Sequence, residues 1–433
     1  MGAFRLNVMP FRRWFLVPIS SFLLALSVSP LRADGPQTLG AVVSDAAKAN
    51  PDLAAARERL RIAQLSKRAA AAPFLPSVSV GASYDRSGGE LDGIGTIPAA
   101  DSYAVSATAR ESLLNGGKDI AIYRRRLAEL VAAQADLDGV RATVSFDVTS
   151  AFARLLFAQD QLALTRSIEK RRAENVRLVG LQYDGGRENK GSYLLSKANA
   201  HQSSFDVAQA ERALRVAQVE LLRATGHSEF DMVQATGTLG AVEPASAPDF
   251  RALALQVPAV RSAAAAIDAA RTDIAAARGD FFPTLDASGS AGRTGPDWPP
   301  KDDRWSLGVS LSIPVFQGGR SLYGLKSARA ALRLSNDQTR ATTDQAALDL
   351  ESSYATFIDA AQRAQVQQEF LQAATVRAEI ARSQYTSGLL SFNDWDIIES
   401  NLITTQKSSL TSLRDAAIAE ADWERTQGKG AVQ

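Results

Sequence analysis

The chain has 433 residues, 22% of them charged, and a formal net charge of +1. That length accommodates two or more ordinary domains, and the balanced charge, without a Lys/Arg-rich face, gives no footing to nucleic acid as a partner. The lack of cysteine excludes disulfides, thiolate catalysis, thiolate metal sites and a lipid-bearing cysteine behind a leader.

At the N-terminus, Arg5, Arg12 and Arg13 precede a mostly apolar run from Trp14 to Val28, and Leu31-Arg32-Ala33 ends on a small residue. This is the layout of a signal peptide over residues 1–33, cut after about Ala33. An uncleaved anchor is the alternative, but Pro18, Ser20 and Ser21 break the run and leave it short for a span. No later segment reads as a transmembrane helix.

Beyond the leader, the chain repeats itself. NPDLAAARERLRIAQLSKRAAAAPFLPSVSVGA, from Asn50, lies without a gap over VPAVRSAAAAIDAARTDIAAARGDFFPTLDASG, from Val257, matching Pro51 to Pro258, Phe74 to Phe281 and Pro76 to Pro283. After a change of offset, Tyr103 to Gly117 lies over Trp305 to Gly319. The match then carries Phe152 onto Tyr354, Tyr183 onto Tyr385, Gly186 onto Gly388, Asn199 onto Asn401 and Gly226 onto Gly428. Ala-rich helices match by chance; prolines, paired glycines and aromatics in one register do not. Repeat one spans 34–228, a link 229–252, and repeat two 253–430.

Each repeat has one plan. A helix of about 25 residues, near Asp45 to Ala72 in the first, stops where Pro73 and Pro76 forbid continuation. Strands at 77–85 and 102–112 follow, joined by a Gly- and Asp-rich loop, Arg86 to Ala100. Their counterparts are 284–292 and 304–313, joined by a loop carrying Pro296, Pro299 and Pro300. The strand-to-helix turns at Gly116-Gly117 and Gly318-Gly319 open helices over 115–183 and 317–385, each roughly 100 Å long at the α-helical rise. Leu130, Leu137, Val144, Ala151 and Ala158 recur at heptad spacing, flanked by Val148, Phe152, Leu155 and Leu162, as coiled-coil packing requires. Glycine turns then lead to return helices over 192–224 and 393–427.

The strands, about nine to eleven residues each, match a tilted bilayer crossing. WSLGVSLSI, from Trp305, alternates an apolar face (Trp305, Leu307, Val309, Leu311, Ile313) with a face of Ser306, Gly308, Ser310 and Ser312. Tyr84, Tyr103, Trp298 and Trp305 cluster near strand ends, where an interfacial girdle sits. The alternative is a soluble sheet packed on its own helices, but a water-facing side would carry Lys and Glu where this one has Ser and Gly. In lipid only a closed barrel satisfies the backbone, and four strands cannot close one. Several chains must therefore share it.

These features together resemble the TolC family of outer-membrane efflux proteins: two tandem repeats, FLP and FFP before the first and third strands, and SLSIPVFQGGR, Ser310 to Arg320, which is similar to the family's apolar-Pro-Leu-Phe-x-Gly-Gly-Arg signature. The resemblance covers about Gln37 to Gly428. It implies an α+β, mostly α fold with long antiparallel coiled-coil helices and four transmembrane β-strands per chain. Three chains would form a 12-stranded barrel with a periplasmic α-helical tunnel. The implied protein is an unlipidated exit duct of a tripartite efflux or type I secretion system. Its partners would be outer-membrane lipid, a periplasmic adaptor and an inner-membrane pump of RND, ABC or MFS type. In the family the inner helix turns hold the gate and receive the adaptor, which points to Gly186 and Arg187 in one turn and Gly388 and Leu389 in the other. An aspartate six residues beyond the second turn glycine is matched by Asp394; a further acidic position falls on Ile397, with Asp396 and Glu399 nearby. The resemblance therefore implies a pore constriction at Asp394 and Asp396. The alternative for Asp394 is a helix N-terminal cap.

Enzymatic readings find little to use. His201 and His227 are the only histidines and lie far apart, so no His-based metal cluster or triad is available. Gly116-Gly117-Lys118 lacks the spacing of a phosphate loop. No catalytic residue, metal or cofactor is expected. The reading from another class is a periplasmic coiled-coil scaffold or adaptor without a channel.

Overall fold

The computed structural model describes residues 36–91, 95–227, 232–240 and 246–432. The leader expected over 1–33 lies outside the described residues, as does part of the link.

Among the described residues, eight α-helices and four strands follow one another in two similar passes. The first pass contains α1 (Leu39–Ala49), α2 (Pro51–Ala69), β1 (Ser77–Leu91), β2 (Gly95–Asn115), α3 (Lys118–Asp184) and α4 (Lys190–Thr225). The second contains α5 (Phe250–Ala254), α6 (Pro258–Gly279), β3 (Thr284–Gly295), β4 (Asp302–Ser312), α7 (Arg320–Thr386) and α8 (Phe392–Thr426). The same positions turn left-handed in both passes: Gly116 and Gly117 with Gly318 and Gly319, Gly186 with Gly388, Gly226 with Gly428. Repetition in sequence is thus repetition in backbone.

The helix expected over Asp45 to Ala72 is broken. Pro51 has no N–H to continue α1, and Asn50 starts a new helix: its Oδ1 accepts from the N–H groups of Asp52 and Leu53 at 2.9 and 3.0 Å. Its Nδ2 donates to the carbonyl of Ala224 at 2.9 Å, seating the start of α2 on the end of α4. Gly226 closes that joint at φ 93°, where a Cβ would run into the Ala49 carbonyl; Gly428 does the same against Pro258 at the α8–α6 joint. Two short helices stacked end to end therefore match one unbroken helix, α2 and α4 beside α3, α6 and α8 beside α7.

Most of the heptad positions named on α3 enter one hydrophobic core, Leu130 and Leu162 lying outside it. Leu137, Val144, Val148, Ala151, Phe152, Leu155 and Ala158 are buried with Val42, Ala46 and Leu53 from α1 and α2 and Leu221 from α4. The link joins this belt. Gln159 holds the Ala235 backbone at both its N–H and C=O, and Gln218 donates to Val233 O.

The sheet is antiparallel in the order β1-β2-β3-β4. Its first hairpin is longer than expected: most of the Arg86 to Ala100 stretch continues the two strands past a bulge between Ser87 and Gly89. The register sorts the side chains as the alternation demands. One face carries Val78, Val80, Ala107, Ala109, Ala287, Ala291, Leu307, Val309 and Leu311; the other carries Ser79, Thr108, Ser290 and Ser306 in one row, with a 2.8 Å contact between the last two hydroxyls. At its outer end Tyr103 lies against Tyr84 at 4.8 Å and Trp298 at 6.1 Å between ring centroids.

Candidate functional site

The end of the helices opposite the sheet is built twice. In the first turn Gly186 sits at φ 71° and the N–H of Arg187 donates to Gln182 O at 2.8 Å; in the second Gly388 sits at φ 76° and the N–H of Leu389 donates to Gln384 O at 2.9 Å. Both are glycine-closed helix ends with their last carbonyls satisfied. Asn189 then caps α4 by accepting from Ser192 N, and Ser391 caps α8 by accepting from Asp394 N. Behind each turn is an aromatic stack at matching positions: Tyr183 on Tyr193 at 5.5 Å and 8°, Tyr385 on Trp395 at 4.3 Å and 9°. The rings pack behind the turns while Gly186, Arg187, Gly388 and Leu389 stay exposed; Leu389, an apolar side chain, is 80% exposed at the apex.

Asp394 is exposed in the first turn of α8 and takes the Ser391 hydroxyl on Oδ2 at 2.7 Å. Ser391 is thus the cap, and Asp394 accepts from its hydroxyl while still presenting its carboxylate to solvent. Asp396 is set deeper. Its Oδ1 accepts from Arg172 Nη1 on α3 at 2.8 Å and from Asn199 Nδ2 on α4 at 3.1 Å, while Arg172 Nη2 reaches Ser400 Oγ at 3.0 Å. One carboxylate thus ties three helices together. Arg172 is buried, and so is Glu399 one turn further along α8, whose Oε2 lies 4.0 Å from Arg171 and has no hydrogen bond.

More ties connect the helix pairs. Lys407 on α8 donates to Asp206 on α4 at 2.8 Å, and Arg382 on α7 meets Glu174 on α3 at 3.5 Å. Burial raises the Asp206 carboxyl, but the Lys407 ammonium and the Gln202 amide outweigh it and hold the group below its ordinary value. The Tyr385 hydroxyl, pushed up to about 12, is shifted by burial first and then by the Glu188 carboxylate.

Arg172 was not singled out by its sequence, and Asn199 only as half of a repeat match. Nothing local marks either: a charged residue on an Ala-rich helix looks like any solvated position until the facing helix is placed. At the opposite end the glycine pairs Gly116-Gly117 and Gly318-Gly319 turn β2 into α3 and β4 into α7. Among the described residues no group of His, Cys, Asp or Glu is arranged to hold a metal ion, and no helix is long and apolar enough to cross a membrane.

With the repeated strand-helix plan and its tips in place, comparison with known families is direct. The profile of the family described as Outer membrane efflux protein matches residues 42–227 and 251–428. The chain belongs to that family. It is an outer-membrane protein with a periplasmic helical region, from a family of transport proteins rather than enzymes. Its curated relatives in Pseudomonas aeruginosa include the alkaline protease secretion protein AprF, 25% identical over 57% of this chain and 53% of the relative. The pyoverdine export outer membrane protein OpmQ is 27% identical over 67% of this chain and 63% of the relative. The matched stretches thus span between half and two thirds of those relatives. The fold recurs in solved structures: a membrane protein from Pseudomonas aeruginosa superimposes with a TM-score of 0.81 at 20% identity, covering 90% of this chain and 93% of that one. The outer-membrane channel OprN gives 0.80 at 20% identity, covering 91% of each.

Proposed function

We propose that this chain is one protomer of a homotrimeric exit duct, in which three four-stranded sheets close a 12-stranded outer-membrane barrel and the helices extend it as a periplasmic tunnel. The observation that carries this reading is the sheet. Its apolar face is bare, with Val80 75%, Leu307 80% and Val309 67% exposed, and β1 and β4 each keep an unpaired edge. In water such a sheet aggregates. In lipid the apolar face is solvated, and the edges are satisfied by pairing with copies of themselves.

Transport through such a duct is passive, driven by an inner-membrane pump of RND, ABC or MFS type and coupled through a periplasmic adaptor. Gly186, Arg187, Gly388 and Leu389 are the docking tips. Asp394 and Asp396 serve the constriction in different ways: Asp394 presents charge to the passage, and Asp396 holds α8 in place through Arg172 and Asn199. Three Asp394 carboxylates around one axis repel anions and collect cations. The names of AprF and OpmQ attach relatives to a protease and to pyoverdine, so cargo is set by the partners of each duct rather than by the shared fold. Membrane fractionation and planar-bilayer recording test the whole. A trimer in the outer membrane with ion conductance is expected, and a soluble monomer without conductance contradicts it.

A further inference from the structure

The polar face of the sheet is not uniform. From the helix end outward, its rows run Ser112–Asp286–Ser310, Ser77–Arg110–Ser288–Gly308, Ser79–Thr108–Ser290–Ser306 and Gly81–Ser106–Gly292–Arg304. Charge is confined to the two ends. Between Arg110 and Asp286 at the helix end and Arg304 near the outer end, this face carries only hydroxyls, glycine and small groups.

Arg110 and Asp286 stand on adjacent strands, one row apart. Diagonal neighbours of this kind are about 7–8 Å apart at the backbone, within reach of long side chains. Both are exposed, and among the described residues neither the guanidinium nor the Asp286 carboxylate has an ion pair or side-chain hydrogen bond. They border a cavity of about 710 Å³ where the sheet meets the helices, together with Glu111 and Asp119. The register puts Glu111 on the apolar side with Ala287, and Asp119 belongs to the first turn of α3. On the polar side of the sheet's inner rows, the charges are therefore one cation and one anion.

The geometry points to Arg110 and Asp286 as a balanced pair of charges that together hold the passage neutral toward ion sign where the barrel joins the tunnel, each offsetting the selectivity the other alone would impose. This inference rests on the trimeric barrel proposed above, in which the polar face lines the lumen. Three copies place three guanidinium and three carboxylate groups in an alternating band. Their net charge cancels, so the band favours neither ion sign. The field across it remains, and it orients solutes that carry a cationic and an anionic group together. An unpaired Arg–Asp couple on a wall otherwise made of serine and glycine suits contact with a passing solute; a structural pair would be closed on itself.

Reversal potentials in a KCl gradient test this, measured in an Asp394→Ala background so that the periplasmic ring does not dominate. Arg110→Ser leaves three carboxylates and raises the K⁺/Cl⁻ permeability ratio by about threefold, Asp286→Ser lowers it by about threefold, and the double substitution restores the parent value. Serine already occupies neighbouring rows, so the variants preserve the face, and trimer content verifies assembly. Conducting trimers whose ratio does not move, or moves the same way in both single variants, overturn the selectivity role and leave the duct standing. If the unaltered trimer fails to conduct, the barrel reading falls and this inference falls with it.

Discussion

Asp396 holds α3, α4 and α8 together with one carboxylate. Its carboxylate receives Arg172 and Asn199 with both ion-pair partners largely buried, at 10% and 20% side-chain exposure. Removing one partner of such a pair strands the other charge, which costs about 3 kcal/mol. We expect Asp396→Ala to lower the unfolding midpoint of the helical region and to raise channel open probability. Unchanged gating with lost stability would make the tie structural only. Asp394→Ala tests the constriction: the Ser391 cap uses the Asp394 backbone N–H and survives, so only the exposed Ser391 Oγ to Asp394 Oδ2 bond is lost, at about 0.5–1 kcal/mol, while loss of the constriction raises single-channel conductance or weakens block by divalent cations. Tyr385 gives a pH signature. Its hydroxyl is raised in the folded chain to about 12, so the stability it confers is complete below the unfolded value near 10 and is lost as pH rises through 12. Tyr385→Phe should flatten that alkaline limb in thermal melts, while an unaltered limb would remove Tyr385 as its source.

Among elements, the joints between stacked helices bear the most. Gly226 combines a left-handed backbone with a contact a Cβ cannot enter, so Gly226→Ala should destabilise by at least 2 kcal/mol in thermal unfolding. The α4–α8 tie is pH-sensitive in the acid range. Asp206 is lowered by Lys407, so its contribution is present above the unfolded carboxylate value and fades as pH falls through the lowered folded one. Asp206→Asn should lessen the acid-side loss of stability. Element types and order were legible in the sequence because proline, paired glycine and heptad spacing are local signals. The ends were less so. The Asn50–Pro51 break did carry a local signal, an asparagine cap followed by a proline, which the expectation of one helix overrode; only its seating on the Ala224 carbonyl is distant in sequence. The first hairpin continues through a Gly- and Asp-rich stretch because a bulge absorbs its irregular step. The inner tips were legible as turns, but Arg172 was not, since its partner Asp396 lies on a helix from the other repeat.

At the scale of the whole molecule, a four-stranded sheet with a bare apolar face and two open edges is incomplete in one copy. In the proposed trimer this face meets lipid and its reverse meets water. The natural lack of cysteine allows a direct measurement: single cysteines placed at Leu307, Val309, Ser306 and Ser310 in the membrane-assembled protein, each exposed to a membrane-impermeant maleimide and to a lipid-soluble thiol probe. Leu307→Cys and Val309→Cys should react with the lipid-soluble probe alone, and Ser306→Cys and Ser310→Cys with the aqueous reagent. Equal aqueous labelling at all four positions would contradict the account.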